Sequence, residues 1–158
     1  MTKQEINEYT RRITQANGTQ MITIIYEITL TYLKDALSAY DKKDMPLYET
    51  NLTRAQNCIN ELMRSLDLNY DIAQNFMDIY IFAKREIVAA QIRKEKNNIN
   101  NLISIFEKMQ ICYKELEKEN DAPPIVSGAQ SVYAGLTYGK GTLNETINDP
   151  YTNRGFMA

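Results

Sequence analysis

The chain has 158 residues, with 18 Lys and Arg side chains against 20 Asp and Glu, and therefore a formal net charge of −2. This length suits one domain of roughly 100–150 residues with some extra chain, and the near-neutral charge argues against a nucleic-acid binder, which carries a clustered basic surface. The sequence contains no His, which excludes His-dependent nucleophile pairs and His-ligated zinc, so we expect no catalytic residue, no metal site and no cofactor.

Glycine and proline divide the chain into three parts. Five of the six glycines and three of the four prolines follow Asn120, so we predict a helical body over residues 19–120 and a tail over residues 121–158. Residues 1–18 carry apolar side chains too sparsely for a core helix. We interpret them as a short amphipathic leader, which either docks on the body or lies loose.

Apolar residues recur at helical spacing throughout the body and predict four helices. The first runs from about 19 to 42, and the second begins after Asp44, a suitable N-cap, with Pro46 in its first turn. The third begins near Asn69, another suitable cap, and the fourth runs from about 95 to 119. Short connections make consecutive helices antiparallel neighbours. The predicted fold is therefore all-α, an up-down-up-down antiparallel four-helix bundle with a leader and a non-helical tail.

Each predicted helix has one apolar stripe that faces the core. In chain order, the four stripes are Ile22, Ile25, Thr29, Leu33, Ala36 and Tyr40; Leu52, Ala55, Ile59, Leu62 and Leu66; Ile72, Phe76, Ile79, Ala83, Ile87 and Ala90; and Ile99, Leu102, Phe106, Met109 and Leu116.

The first and third predicted helices carry more apolar surface than one stripe requires. The additional residues are Met21, Ile24, Ile28 and Tyr32 on the first helix and Met77, Tyr80, Ile81 and Val88 on the third. A helix that is apolar on more than one face must bury more than one face. Either the leader or the tail covers this surface, or the surface receives the amphipathic helix of a partner. Both hold if a covering segment gives way to the partner.

Cysteine usage and hydropathy indicate the compartment. Cys58 and Cys112 are too few for a disulfide framework, and their positions on or beside core stripes predict that both are buried. No stretch approaches the ~18–20 apolar residues of a membrane-spanning helix, and the N-terminal sequence lacks the order of a secretory signal. We therefore expect a cytoplasmic protein without membrane insertion.

Several sequence elements between about residues 6 and 118 are shared with a known family. Residues 51–76 follow the pattern Ala-Gln…Ile-x-Glu-Leu…Leu…Tyr-x-Ile-Ala-Gln-Asn, and residues 24–27 read Ile-Ile-Tyr-Glu. On these elements the sequence resembles the FliS family, which has Met-Leu-Tyr-Asp in place of residues 24–27 and a leader element similar to Ile6-x-x-Tyr9. Arg85 matches the first Arg of a family pair, whereas the second Arg is replaced here by Glu86, which puts any role of that charge in doubt.

The resemblance implies a flagellin-specific secretion chaperone and not an enzyme. Such a chaperone binds the C-terminal segment of flagellin in the cytoplasm, prevents premature polymerisation and aids delivery to the flagellar type III export apparatus. The segment becomes helical as it binds, and the chaperone's own leader occupies part of the binding surface. The export gate and other flagellar regulators are further candidate partners. We expect partner contacts at Ile6, Tyr9, Met21, Ile24, Tyr26, Ile28, Met77, Tyr80, Ile81, Arg85 and Val88.

Two alternative functions stay open at this stage. One is a helical scaffold that self-associates through the same apolar faces, and the other is a regulatory adaptor that binds another flagellar protein. The tail is also open to two interpretations, because residues 132–145 are too apolar for an inert linker and too rich in glycine for a helix. It is either disordered or a segment that docks on the body.

Overall fold

The computed structural model describes residues 1–16 and 18–119, and within them the chain is all-helical, with five helices and no strand. The helices are α1 (Lys3–Gln15), α2 (Gly18–Asp41), α3 (Met45–Ser65), α4 (Asp71–Arg93) and α5 (Asn97–Glu119). The predicted all-α class and the four body helices are confirmed, and most of the predicted leader is a further helix. The predicted tail over 121–158 lies outside the described residues.

The four long helices surround one apolar core. Helix α2 packs against α3 and α5, and α4 packs against the same two helices, so each of the four has two neighbours. Helix α1 packs on α2. None of the helices α1–α5 is both long enough and apolar enough to span a bilayer.

The predicted cap of α3 is confirmed, and the predicted cap of α4 is wrong. The Asp44 side chain accepts a hydrogen bond from the backbone N–H of Leu47 (3.1 Å) at the start of α3. Before α4, the Asp67 carboxylate accepts bonds from both the backbone N–H and the side-chain amide of Asn69 (3.0 and 2.7 Å). This local turn engages Asn69, and Tyr70 takes the N-cap position without a side-chain bond.

Two residues with left-handed backbone geometry follow helix ends. Lys43 (φ 60°) comes just after α2, and Lys94 (φ 56°) caps α4. The Lys94 N–H donates to the Ala90 carbonyl, as does the N–H of Glu95 (3.3 Å). Such bonds satisfy the last carbonyls of a helix and turn the chain sharply. They explain why α5 begins two residues later than the sequence predicts.

The core residues agree with the predicted stripes in all but a few positions. The second stripe is buried from Leu52 to Leu62, as predicted, and so are the described members of the fourth. Ile72 was expected in the core but is 39% exposed, because it lies in the first turn of α4 at the edge of the packed surface. Cys58 is buried as predicted, whereas Cys112 is exposed, so the prediction for the second thiol is wrong.

Candidate functional site

Helix α1 begins with a complete capping box. The Thr2 side chain accepts a hydrogen bond from the Glu5 backbone N–H (3.2 Å), and the Glu5 carboxylate accepts one from the Thr2 backbone N–H (2.6 Å). The Thr2 hydroxyl also donates to the Glu5 carboxylate (3.0 Å). The bond from the Thr2 backbone N–H, and after it the bond from the hydroxyl, lower the pKa of Glu5 from its ordinary value because both stabilise the charged carboxylate. The sequence Thr-x-x-Glu is a signature of such a start, so this helix was detectable before its structure was known.

Polar contacts join α1 to a single stripe of α2. The Arg12 guanidinium donates to the Glu27 carboxylate (2.5 Å), and the Tyr9 and Thr31 hydroxyl groups form a hydrogen bond (3.2 Å). The amino group of Met1 forms an ion pair with Asp35 on the same stripe. The α2 partners lie four residues apart, which places them on one face of the helix. Helix α1 therefore lies lengthwise along α2.

The apolar contribution of α1 is small. Ile13 is its one residue in the buried core among the described residues, at 4% exposure, while Ile6 and Tyr9 are half-buried. The Arg12 guanidinium carbon lies 5.6 Å from the centre of the Tyr9 ring, so the two side chains that bind α2 also stack on each other. The α1 contact is thus mainly polar.

A cleft between α1, α2 and α5 ends on Ile24. Its walls are formed by Arg12 and Gln15 of α1, by Ala16 just after α1, by Gln20 and Thr23 of α2, and by Lys114 and Lys118 of α5. Ile24 itself is only 4% exposed. The wall of the cleft is therefore mostly polar, with basic and amide side chains.

The second α2 stripe is buried within the chain, which agrees with the first of the two alternatives left open by the sequence. Its members are buried together with Ile13 in one apolar cluster: Met21, Ile24, Ile28 and Tyr32. The sequence indicated surplus apolar surface, and the structure shows that α2 buries this surplus within the chain. Contact with a partner at these positions requires a covering segment to move.

Tyr26 and Tyr80, two further predicted contact residues, lie at the centre of the molecule. Their hydroxyl groups are 2.5 Å apart in a hydrogen bond that joins α2 to α4, and the Phe106 ring of α5 lies 6.0 Å from the Tyr26 ring. Burial raises the pKa of both phenols well above the ordinary value. While α1 is docked, this pair links α2 to α4 and offers almost no exposed surface to a partner.

The outward face of α4 carries the remaining predicted residues. Ile81 and Val88 are 45% and 43% exposed, Arg85 is exposed between them, and Met77 is half-buried. Sequence reasoning missed Ile92, which is 75% exposed on the same stripe. The spacing 81, 85, 88, 92 is a helical repeat, so this residue was detectable from the sequence. Ile81, Val88 and Ile92 thus form an exposed row on α4 that Arg85 interrupts.

No group of three or more His, Cys, Asp or Glu side chains within residues 1–16 and 18–119 is arranged to hold a metal ion. Several of the described carboxylates pair with basic side chains, as in the Lys34–Glu107 contact (2.8 Å) and the Lys96–Asp41 contact (2.7 Å). These pairs lie at the surface, where they contribute little to stability.

Comparison with known proteins identifies the family. The family model described as "Flagellar protein FliS" matches residues 1–120, which is most of the chain. The chain belongs to the FliS family. This is a family of chaperones and not of enzymes. The resemblance seen in the sequence is confirmed, and α1 to α5 all lie within the matched region.

One curated relative is the protein named "Flagellar secretion chaperone FliS" from Bacillus subtilis (strain 168). The two sequences are 27% identical over 83 residues, a stretch that covers 52% of this chain and 62% of the relative. The chain thus spans less than two thirds of the length of that relative.

Proposed function

We propose that this chain is a flagellar export chaperone of the cytoplasm. In this proposal it binds the C-terminal segment of flagellin, prevents premature polymerisation and aids delivery to the flagellar type III export apparatus. Membership of the FliS family and the similarity to the Bacillus secretion chaperone support the chaperone role. The structural observation that carries the proposal is α1, a short helix that packs on the apolar α2 and buries little of itself.

The proposed frame is an up-down-up-down antiparallel bundle of α2 to α5. Two ion pairs support opposite directions for α2 and α5. Asp41, at the end of α2, pairs with Lys96, just before α5, whereas Lys34, earlier in α2, pairs with Glu107, further along α5. The connections between consecutive helices span three to five residues, which favours antiparallel neighbours.

Helix α1 has the properties of a removable segment. At 13 residues it is near the length at which an isolated helix is marginal in water. It contributes one buried residue, Ile13, whereas α3 contributes nine. Regions with few buried contacts open at much lower free energy than the core of a domain. We therefore propose that α1 leaves α2 while α2 to α5 stay folded.

The proposed partner helix would replace α1 and extend beyond it. Ordering a disordered segment costs about 2–5 kcal/mol of the interaction energy, so the interface has to be larger than the α1 contact. The outward face of α4 offers such additional surface, with Met77, Ile81 and Val88 as apolar contacts and Arg85 as a charged one. Because α4 lies across the core from α2, we propose that the partner segment wraps around the bundle, so that one part contacts the α2 surface beneath α1 and another part contacts this α4 face.

Isothermal titration calorimetry with the C-terminal segment of flagellin tests the proposal. We expect binding at one to one, with a negative heat-capacity change because apolar surface is buried. An N-terminal flagellin peptide of equal length serves as the control and should not bind. Binding of the N-terminal peptide alone would overturn the assignment.

The outward apolar row on α4 also favours one rival function, a self-associating scaffold. Size measurement by light scattering separates the two, because a monomer that forms a one-to-one complex with flagellin is expected from a chaperone. A stable dimer that ignores flagellin would favour the scaffold.

A further inference from the structure

A second apolar surface lies between α4 and α5, on residues that the proposed function does not use. This groove, which we call the α4/α5 groove, is open to solvent and has a volume of about 390 Å³. It is lined by Ile72, Asn75, Phe76 and Ile79 of α4 and by Ile105, Lys108, Met109 and Cys112 of α5. Ligand pockets in proteins begin at about 300 Å³, so the groove holds a few large side chains.

The lining is almost entirely apolar and partly uncovered. Ile72 is 39% exposed and Cys112 is exposed, while Ile79 and Ile105 are half-buried. Asn75 is the polar residue of the α4 wall, and a side-chain amide both donates and accepts hydrogen bonds. Such a groove accepts apolar side chains of a docked segment, and the Asn75 amide can form a hydrogen bond to the backbone of that segment.

We propose that the groove is occupied by the chain's own C-terminal segment, through residues 132–136. The chain continues for 39 residues after Glu119, the last residue of α5. Met109 lies ten residues before Glu119, a distance of about 15 Å along the helix. The 13 residues from Asn120 to Val132 span about 20 Å as a flexible chain and more than 40 Å when extended. The segment therefore reaches back to the groove without strain.

The sequence of this segment matches the groove in pattern and length. In an extended chain, Val132, Ala134 and Leu136 project to one side, because side chains alternate with a period of two. Val132 and Leu136 are then about 13 Å apart, and the groove extends about 10 Å from Ile72 to Ile79. Pro123 and Pro124 come four and five residues after Glu119, and proline is unfavourable in a helix interior.

Attachment to the same chain favours this occupant over a second copy of the protein. A tethered segment has an effective concentration in the millimolar range, whereas a second copy binds at its actual concentration. A modest apolar contact is therefore sufficient for the tether and insufficient for a dimer. The inference is independent of flagellin binding and goes beyond the proposed function.

Cys112 provides a direct readout of whether the groove is covered. It is an exposed thiol in the groove wall. Burial raises the pKa of the other thiol, Cys58, to about 12, so Cys58 stays unreactive in the folded protein. Alkylation by iodoacetamide, a neutral reagent, thus reports on Cys112 alone in the full-length chain.

The test compares two double variants of the full-length chain. Val132→Ser with Leu136→Ser removes the proposed contacts, and Leu143→Ser with Ile147→Ser is the matched control in the same segment. We expect the first variant to be alkylated at Cys112 about five- to tenfold faster than the wild type, because reactivity follows the fraction of open molecules. The control should react at the wild-type rate.

Three outcomes would overturn the proposal. Equal acceleration in both variants would exclude residues 132–136 as the specific contact. A wild-type rate that neither variant changes, but that falls with protein concentration, would assign the groove to a second copy. An alkylation rate that changes neither with the variants nor with protein concentration would show that the segment does not cover the groove.

Discussion

Truncation of Ile13 to Ala is the most informative change at the α1 contact. Ile13 is 4% exposed and is the buried residue of α1, so its loss weakens docking of α1 while the contacts that α2 to α5 make with one another are kept. Replacing a buried Ile by Ala costs at least about 2 kcal/mol. If docked α1 is more stable than open α1 by about 1 kcal/mol, this change moves most of the molecules to the open state. If the difference is about 2 kcal/mol, the change moves about half of them.

The consequence for partner binding follows from the population of open molecules. Apparent affinity scales with the fraction of protein that is competent to bind. With a docking stability of about 1 kcal/mol, opening α1 raises the affinity about fivefold, and with about 2 kcal/mol it raises it about fifteenfold. A competing cover therefore makes Ile13→Ala a gain-of-affinity variant, which is an unusual result for loss of a buried side chain.

Fluorescence anisotropy with a labelled C-terminal flagellin peptide measures this effect. Gln4→Ala is the matched control, because Gln4 is exposed on the same helix, and it should bind like the wild type. Lower affinity in Ile13→Ala would mean that α1 contributes contacts to the partner. Unchanged affinity would mean that α1 and the partner use different surfaces. Either result refutes the competition argument.

Three further predictions concern stability. The first is measured by urea unfolding followed by circular dichroism. Ile28→Asp should lower the free energy of unfolding by several kcal/mol because it buries a charge without a partner, whereas Ile81→Asp on the α4 surface should change it by about 0.5 kcal/mol or less. Equal losses would contradict the observed burial. Tyr26→Phe should cost about 1–3 kcal/mol because the buried Tyr80 hydroxyl loses its partner, and adding Tyr80→Phe should recover much of it, so purely additive losses would refute the hydrogen bond. The pKa of Glu5 is lowered in the folded chain, so its contribution is present above pH 4.5 and is lost as the pH falls through the folded value. The protection factor of the α1 amides, which is corrected for the pH dependence of intrinsic exchange, should fall over that range in the wild type and less in Glu5→Gln; a pH-independent difference would count against the capping box.

Much of the fold was predictable because the long helices are regular and strongly patterned. The stripe from Leu52 to Leu62 follows the helical period without interruption, and it is buried as expected. Helix boundaries were predictable where a cap acts alone, as at Asp44. They were not predictable where two polar residues compete, as in the turn of Asp67 that engages Asn69.

The candidate site was predictable in composition and less so in exposure. Periodicity indicated that α2 has surplus apolar surface, but periodicity does not say which neighbour buries it. Ile24 and Ile28 belong to the buried core. The neighbouring helix α1 has too few apolar residues to be recognised as a core helix from the sequence, because it packs on α2 through polar contacts such as Arg12–Glu27. On α4, by contrast, Ile81 is not covered by any of residues 1–16 and 18–119 and is 45% exposed.

Hydrogen exchange of α1 in the presence of the flagellin C-terminal segment tests the central claim most directly. If the segment binds the α2 surface beneath α1, the amides of residues 3–15 should exchange faster in the complex, while those of α2 exchange more slowly. Unchanged or greater protection of α1 in a saturated complex would contradict the account.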